Sequence, residues 1–189
     1  QTDIEHSLVT QLPFDSRGTR IDLFKLPLGA SLGEVACWQS HIRASLIALE
    51  HNERVLVLED DAILHSTASA SISESLRKLD SAQVPWDMLL LGHTWPLRKR
   101  LFNEVADGLY NVGYRFIAPI AYVVNGRRSA DKFVKLLDVP YLDPWVPWDL
   151  LVRGCPYEIK RVLMHPYVVA HRATFSDVDP LSAPSGVQV

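Results

Sequence analysis

Cysteine, long apolar runs and any excess of charge are all scarce in this sequence, and each shortage removes a class of protein. Only two cysteines, Cys37 and Cys155, occur in 189 residues, with no CxxC pair and no Cys/His ligand spacing. A disulfide scaffold and a zinc-finger module are thereby excluded, while one disulfide or two free thiols both stay open. No apolar stretch approaches the roughly 20 residues that cross a bilayer. The longest, Val55 to Leu58 and Met88 to Leu91, suit buried strands. The N-terminus lacks the basic, apolar and small-residue zones of a secretion signal. A first residue of Gln1 leads us to expect further sequence upstream, so an anchor or leader remains open. The net charge of -3 and pI near 6.2 give no electrostatic reason to bind nucleic acid. The densest basic cluster, Arg98-Lys99-Arg100, is short and reads as a solvated loop.

What is present suits one globular domain. Of the chain, 48% is hydrophobic and 22% charged, enough apolar material for a core. Residues 1–30 have little periodicity and read as irregular, with a turn at Asp15-Ser16-Arg17-Gly18. Ser31-Leu32-Gly33-Glu34 has the pattern of a capping box, in which hydroxyl and carboxylate satisfy the free N–H groups of a helix start. Val35, Trp38, Ile42, Leu46 and Leu49 follow at spacings of three and four, which predicts an amphipathic helix. Arg54 to Leu58 predicts a short strand covered on both faces, ending at Glu59-Asp60-Asp61. The Ser-rich residues 66–73 lead into a second helix with Ile72, Leu76 and Leu79 on one face, broken at Val84-Pro85. Trp86 to Gly92 predicts a second strand, and residues 93 to about 112 a long surface excursion. A third strand over Phe116 to Val124 stops at the turn pair Asn125-Gly126, before a helix over Ser129 to Leu137. The segment Pro140 to Asp149, rich in proline and aromatics, can be neither helix nor central strand. A short helix over Leu150 to Arg153, a fourth strand over Ile159 to Met164 and a loose tail, residues 179–189, complete the chain. Strands alternating with helices predict an α/β sandwich.

The acidic triplet is the clearest chemical feature. Ligands of α/β sheets sit beyond the carboxyl ends of strands. Strand alternation would aim Glu59 and Asp61 the same way and Asp60 elsewhere. Two such carboxylates can hold Mg²⁺ or Mn²⁺, which prefer oxygen ligands and carry substrate phosphates. A wet, polar strand exit is the competing reading.

The segment Leu32 to His41 followed by Val57-Leu58-Glu59-Asp60-Asp61 resembles glycosyltransferase family 25. That family includes bacterial lipooligosaccharide galactosyltransferases, collagen galactosyltransferases and fungal relatives. Its pattern is a Gly-Glu-x-x-Cys-x-x-Ser-His helix and then a Leu-Glu-Asp-Asp strand exit, and both stand here. Trp86 to Gly92, Ala121-Tyr122-Val123-Val124, Asp149 and Ser176-Asp177-Val178 extend the resemblance, which runs from about residue 29 to 178. The run Trp148 to Cys155 and the pair Gly92-His93 resemble fungal members.

The resemblance implies a GT-A type, Rossmann-like mixed sheet flanked by helices in a single glycosyltransferase domain, residues 31–178. It further implies an inverting, metal-dependent transfer of a hexose, galactose foremost, from a nucleotide sugar to a carbohydrate or glycoprotein hydroxyl. Glu59, Asp61 and His171 are then the expected metal ligands for Mn²⁺ or Mg²⁺, and Ser40, His41 and Asp60 the donor-binding set. Asp149 is the candidate base, and Trp145 and Trp148 are candidates to stack on acceptor sugars. Simpler roles compete with several of these. Asp149 could N-cap the following helix, and His41 could simply pack. Asp87 reads as a strand-start cap before a catalytic group, and Cys37 as core filler. His171 stands where many relatives carry Gln. The family's opening strand with its Arg is not evident in residues 1–30, where Arg17 and Arg20 are the only candidates. A carbohydrate-binding or scaffold domain without catalysis, and a metal-dependent phosphohydrolase, are the alternative functions. The compartment follows the lineage: the cytoplasmic face of the inner membrane in bacteria, the secretory lumen in eukaryotes.

Overall fold

The structure, a computed structural model, describes residues 32–92, 102–113, 119–137, 152 and 159–172. The first helix, α1, spans Leu32–His51. Its buried stripe is Val35, Trp38, His41, Ser45 and Ala48, with Ile42, Leu46 and Leu49 only partly covered along its flank. The helix is therefore rolled so that a histidine and a serine, not only aliphatic residues, meet the core. Strand β1 (Val55–Leu58) follows, then a short β2 (Ala62–Leu64), which the sequence pattern did not predict. Helix α2 runs over Ala68–Ser81, beginning inside the Ser-rich stretch and burying Ala68, Ser75 and Leu79.

Strand β3 (Met88–Leu90) is buried throughout. Residues 93–101 lie outside the described residues, but the rest of the expected surface excursion is a hairpin, β4 (Asn103–Ala106) and β5 (Leu109–Asn111). Gly108, at φ 73°, makes the tight turn and sits where a Cβ would meet the His165 carbonyl oxygen at 2.8 Å. Leu109, Tyr110 and Val112 are buried, so this segment completes the sheet instead of leaving it. Strand β6 (Ala121–Val124), helix α3 (Gly126–Leu137), strand β7 (Arg161–Met164) and strand β8 (Val169–His171) follow.

Among the described residues six strands form one mixed sheet in the order β1-β6-β3-β7-β5-β4, and β2 pairs with β8 in a separate two-stranded ribbon. β3 and β7 are parallel, and β6 is antiparallel to both β3 and β1. β1, β3 and β7 thus point the same way, and their carboxyl ends share one edge of the sheet. On one face Met88, Leu90, Tyr122, Val124 and Leu163 pack against Trp38, Ala48, Ala130 and Phe133 of α1 and α3. On the other, Leu89, Leu91, Val123, Val162 and Met164 pack against Ala68 and Leu79 of α2. The chain is the α/β layer arrangement expected from its alternation. Burying one such Leu, Val or Phe side chain is worth about 1.5–3 kcal/mol.

β1 departs from expectation. Val55 and Val57 face the α1 side, but Leu56 and Leu58 are 45% and 43% exposed. Among the described residues β1 pairs only with β6, so it is an edge strand covered on one face. Its uniform apolarity reads as two-sided burial because a short run carries no alternation to show otherwise. Asp87, at the opposite edge from the ends of β1 and β3, is a structural anchor. Its carboxylate accepts from Ser129 Oγ (2.9 Å), Lys132 Nζ (2.6 Å) and the Lys160 N–H (2.8 Å), tying β3 to α3 and β7.

Candidate functional site

The acidic triplet stands at the shared carboxyl edge of the sheet. The Glu59 N–H donates to the Ile120 carbonyl at 3.0 Å, prolonging the β1–β6 ladder by one residue. The pleat that turns Val55 and Val57 toward α1 therefore carries Glu59 to the same face. Beyond that point the strand stops. The Ala62 N–H donates to the Glu59 carbonyl at 3.1 Å, closing a turn over the triplet. The alternation expected to align Glu59 with Asp61 does not extend through a turn, and the two carboxylates take different partners.

Glu59 faces His41. In β6, Tyr122 lies opposite Val57, with its ring fully buried beneath α1. Its hydroxyl is 2.8 Å from His41 Nδ1, and His41 Nε2 lies 3.7 Å from Glu59 Oε1. Burial lowers the His41 pKa to about 4, so the ring is neutral near pH 7. Burial, with the nearby charge of Glu59, raises the Tyr122 phenol well above its ordinary range. A protonated phenol and a neutral imidazole fit one arrangement best: Tyr122 donates to Nδ1, and the N–H at Nε2 faces the carboxylate. The other tautomer would turn a lone pair toward Glu59.

Asp61 faces His171 instead. Pairing of β2 with β8 sets Ala62 opposite His171, and the Arg172 N–H donates to the Asp61 carbonyl at 2.9 Å. His171 Nε2 lies 2.7 Å from Asp61 Oδ2, while Asp61 Oδ1 is buried without a hydrogen-bond partner. What brings β8 there is Gly92. A Cβ on Gly92 would stand 2.5 Å from the Val169 carbonyl oxygen, so only glycine lets β8 cross the end of β3. The Val168 N–H donates to the Leu91 carbonyl at 3.1 Å at the same crossing.

The site residues anticipated from sequence thus divide. Asp61 and His171 meet, from positions far apart in the chain, and His41 reaches Glu59. Asp60 is exposed within the turn, and Ser40 is exposed with its hydroxyl donating to the Ala36 carbonyl at 3.0 Å. Asp149, Trp145 and Trp148 lie outside the described residues, as do Ser31 and Cys155, while Cys37 is half-buried. Tyr122 was overlooked as a site residue. The signal was a lone hydroxyl in the middle of an apolar strand, where burial demands a partner.

Among the described residues, no three His, Cys, Asp or Glu side chains gather into a metal-holding group. Two do converge. Asp61 and His171 supply one oxygen and one nitrogen, with a second, unsatisfied carboxylate oxygen beside them. That set fits a cation that takes the rest of its shell from water and substrate phosphates, and does not fit a closed protein cage. None of the described helices is long and apolar enough to cross a membrane.

No curated relative matches the chain significantly. The family model described as glycosyltransferase family 25 (LPS biosynthesis protein) matches residues 24–137, from before α1 to the end of α3. That range holds the α1 histidine, the triplet, Gly92 and Tyr122, and stops short of His171 and Asp149. With the signature helix, the strand exit and every strand of the sheet except β7 inside a match spanning more than half of its length, the chain belongs to glycosyltransferase family 25 and is a glycosyltransferase.

Proposed function

We propose that the protein transfers a hexose, galactose foremost, from a nucleotide sugar such as UDP-galactose to a carbohydrate or glycoprotein hydroxyl. The transfer inverts the anomeric carbon and depends on Mn²⁺ or Mg²⁺. The observation that carries this reading is the Asp61–His171 pair at 2.7 Å, placed at the carboxyl edge of the sheet with one Asp61 oxygen unsatisfied. An imidazole nitrogen in the set favours Mn²⁺ over Mg²⁺, which takes oxygen ligands.

In this reading Asp61 and His171 would hold the cation, which would supply positive charge to stabilise the departing diphosphate. Glu59, about a third exposed at the other end of the turn, accepts a hydrogen bond from a hydroxyl of the donor. Asp60, exposed between them, is the second candidate for the donor sugar. Asp149 accepts the acceptor hydroxyl proton as that oxygen bonds to the anomeric carbon and the bond to the diphosphate oxygen breaks. Trp145 and Trp148 offer apolar ring faces on which the acceptor sugar stacks.

Calorimetric titration with UDP-galactose, with and without Mn²⁺, tests the reading. Binding that requires Mn²⁺ and is lost in Asp61→Asn is expected. Absence of metal-dependent binding, or binding indifferent to that substitution, would overturn it.

A further inference from the structure

The pair His41 and Tyr122 has no role in the transfer as described so far, yet both are buried beneath the donor side of the site. His41 is 5% exposed and cannot reach a ligand itself. Its Nδ1 is occupied by the Tyr122 hydroxyl at 2.8 Å, and its Nε2 is directed at Glu59 Oε1, 3.7 Å away. That last separation is a charge–dipole contact slightly longer than a hydrogen bond, and a small rotation of the Glu59 side chain closes it. The three groups come from α1, β6 and the end of β1, elements fixed by the core on which they pack.

We infer that Tyr122 and His41 form a positioning relay, in which the phenol fixes the imidazole so that its Nε2–H orients the Glu59 carboxylate toward the donor. The inference rests on the reading of Glu59 as a donor-side acceptor. Tyr122 contributes by removing a choice. With its O–H committed to Nδ1, the neutral ring presents a donor, not a lone pair, to the carboxylate. Groups placed behind a binding residue in this way typically alter affinity by about 10–100-fold when removed.

Two measurements test it. Long-range ¹H–¹⁵N NMR of the ¹⁵N-histidine-labelled protein reads the His41 tautomer without any ligand. The Nε2–H form is expected in the wild type, and a mixture or the Nδ1–H form in Tyr122→Phe. An Nδ1–H ring in the wild type, or one unchanged by Tyr122→Phe, overturns the relay. The second measurement is a double-mutant cycle on UDP-galactose binding with Mn²⁺. Tyr122→Phe should weaken binding about 10-fold alone and add nothing in a Glu59→Gln background; additive losses overturn the relay. His41→Gln and His41→Asn serve as further variants. The Gln amide can supply an N–H near the position of Nε2, and Asn only near Nδ1, so Gln should retain binding that Asn loses. Equal losses in the two variants also count against the inference. If the wild type binds no donor, the proposed function fails, and the tautomer measurement still decides the relay.

Discussion

Glu59 and Asp61 are alike in chemistry and two residues apart, yet each faces a histidine in a different medium. The His41 side chain is 6% exposed and that of His171 39%. The histidine facing Glu59 is dry and built on the main core: helix, strand and phenol hold an imidazole that burial keeps neutral. The histidine facing Asp61 is wet and built on a two-stranded ribbon whose position depends on one glycine. One half is organised before any ligand arrives. The other has a carboxylate oxygen still seeking a partner. The contrast suits a site in which the protein orients one group rigidly and leaves the other to be completed by a cation and its phosphates.

Four experiments test this contrast. The largest effect is expected at Asp61. Asp61→Asn should lower the rate of hexose transfer by about 10²–10³-fold, measured with labelled donor, with little change in melting temperature. A stability loss comparable to that of a core substitution would refute the division into dry and wet halves.

The next effect concerns acid. The His41 pKa is about 4 in the folded protein, below its ordinary value of 6.5. Between those limits the unfolded chain binds more protons than the folded one, so stability falls as pH drops from about 6.5 toward 4. The loss attributable to this histidine approaches about 3 kcal/mol. His41→Gln should flatten that part of a pH series of urea melts; an unchanged slope would show that His41 is not the group responsible.

Third, His171→Ala should weaken Mn²⁺-dependent donor binding by about 10–100-fold, the range seen for groups around metal sites. Manganese titration by electron paramagnetic resonance reads the loss. The smallest effect is expected for Gly92→Ala. The added Cβ should displace β8 at a cost of about 1–3 kcal/mol, lowering metal-dependent binding while leaving the His41 tautomer intact. A shift at both histidines would mean that the two halves are not independent.

The parts of the fold legible in the sequence were those with a strong local period. α1 and α3 followed from spacings of three and four, and β3, β6 and β7 from short apolar runs with turn signals. The hairpin of β4 and β5 was hidden because Asn103-Glu104-Val105-Ala106 has too little apolar contrast to mark a strand, and its burial comes from pairing with β7. β2 was hidden because three residues directly after a turn have no period. The position of β1 at the edge of the described strands was equally hidden, since strand order is a property of pairing and not of composition.

The sequence by itself determined the family signature: the α1 motif, the acidic strand exit and their separation, and with them the class of enzyme. It also named His171 and His41 as candidates. Which carboxylate each histidine serves follows from long-range packing. The turn closed by Ala62 on Glu59 breaks the strand's alternation, the β2–β8 pairing brings His171 across from the far end of the chain, and the bare Gly92 lets it pass. The turn is local, but the other two are not encoded within a window of neighbouring residues, because each is a contact between segments that meet only after the sheet has formed.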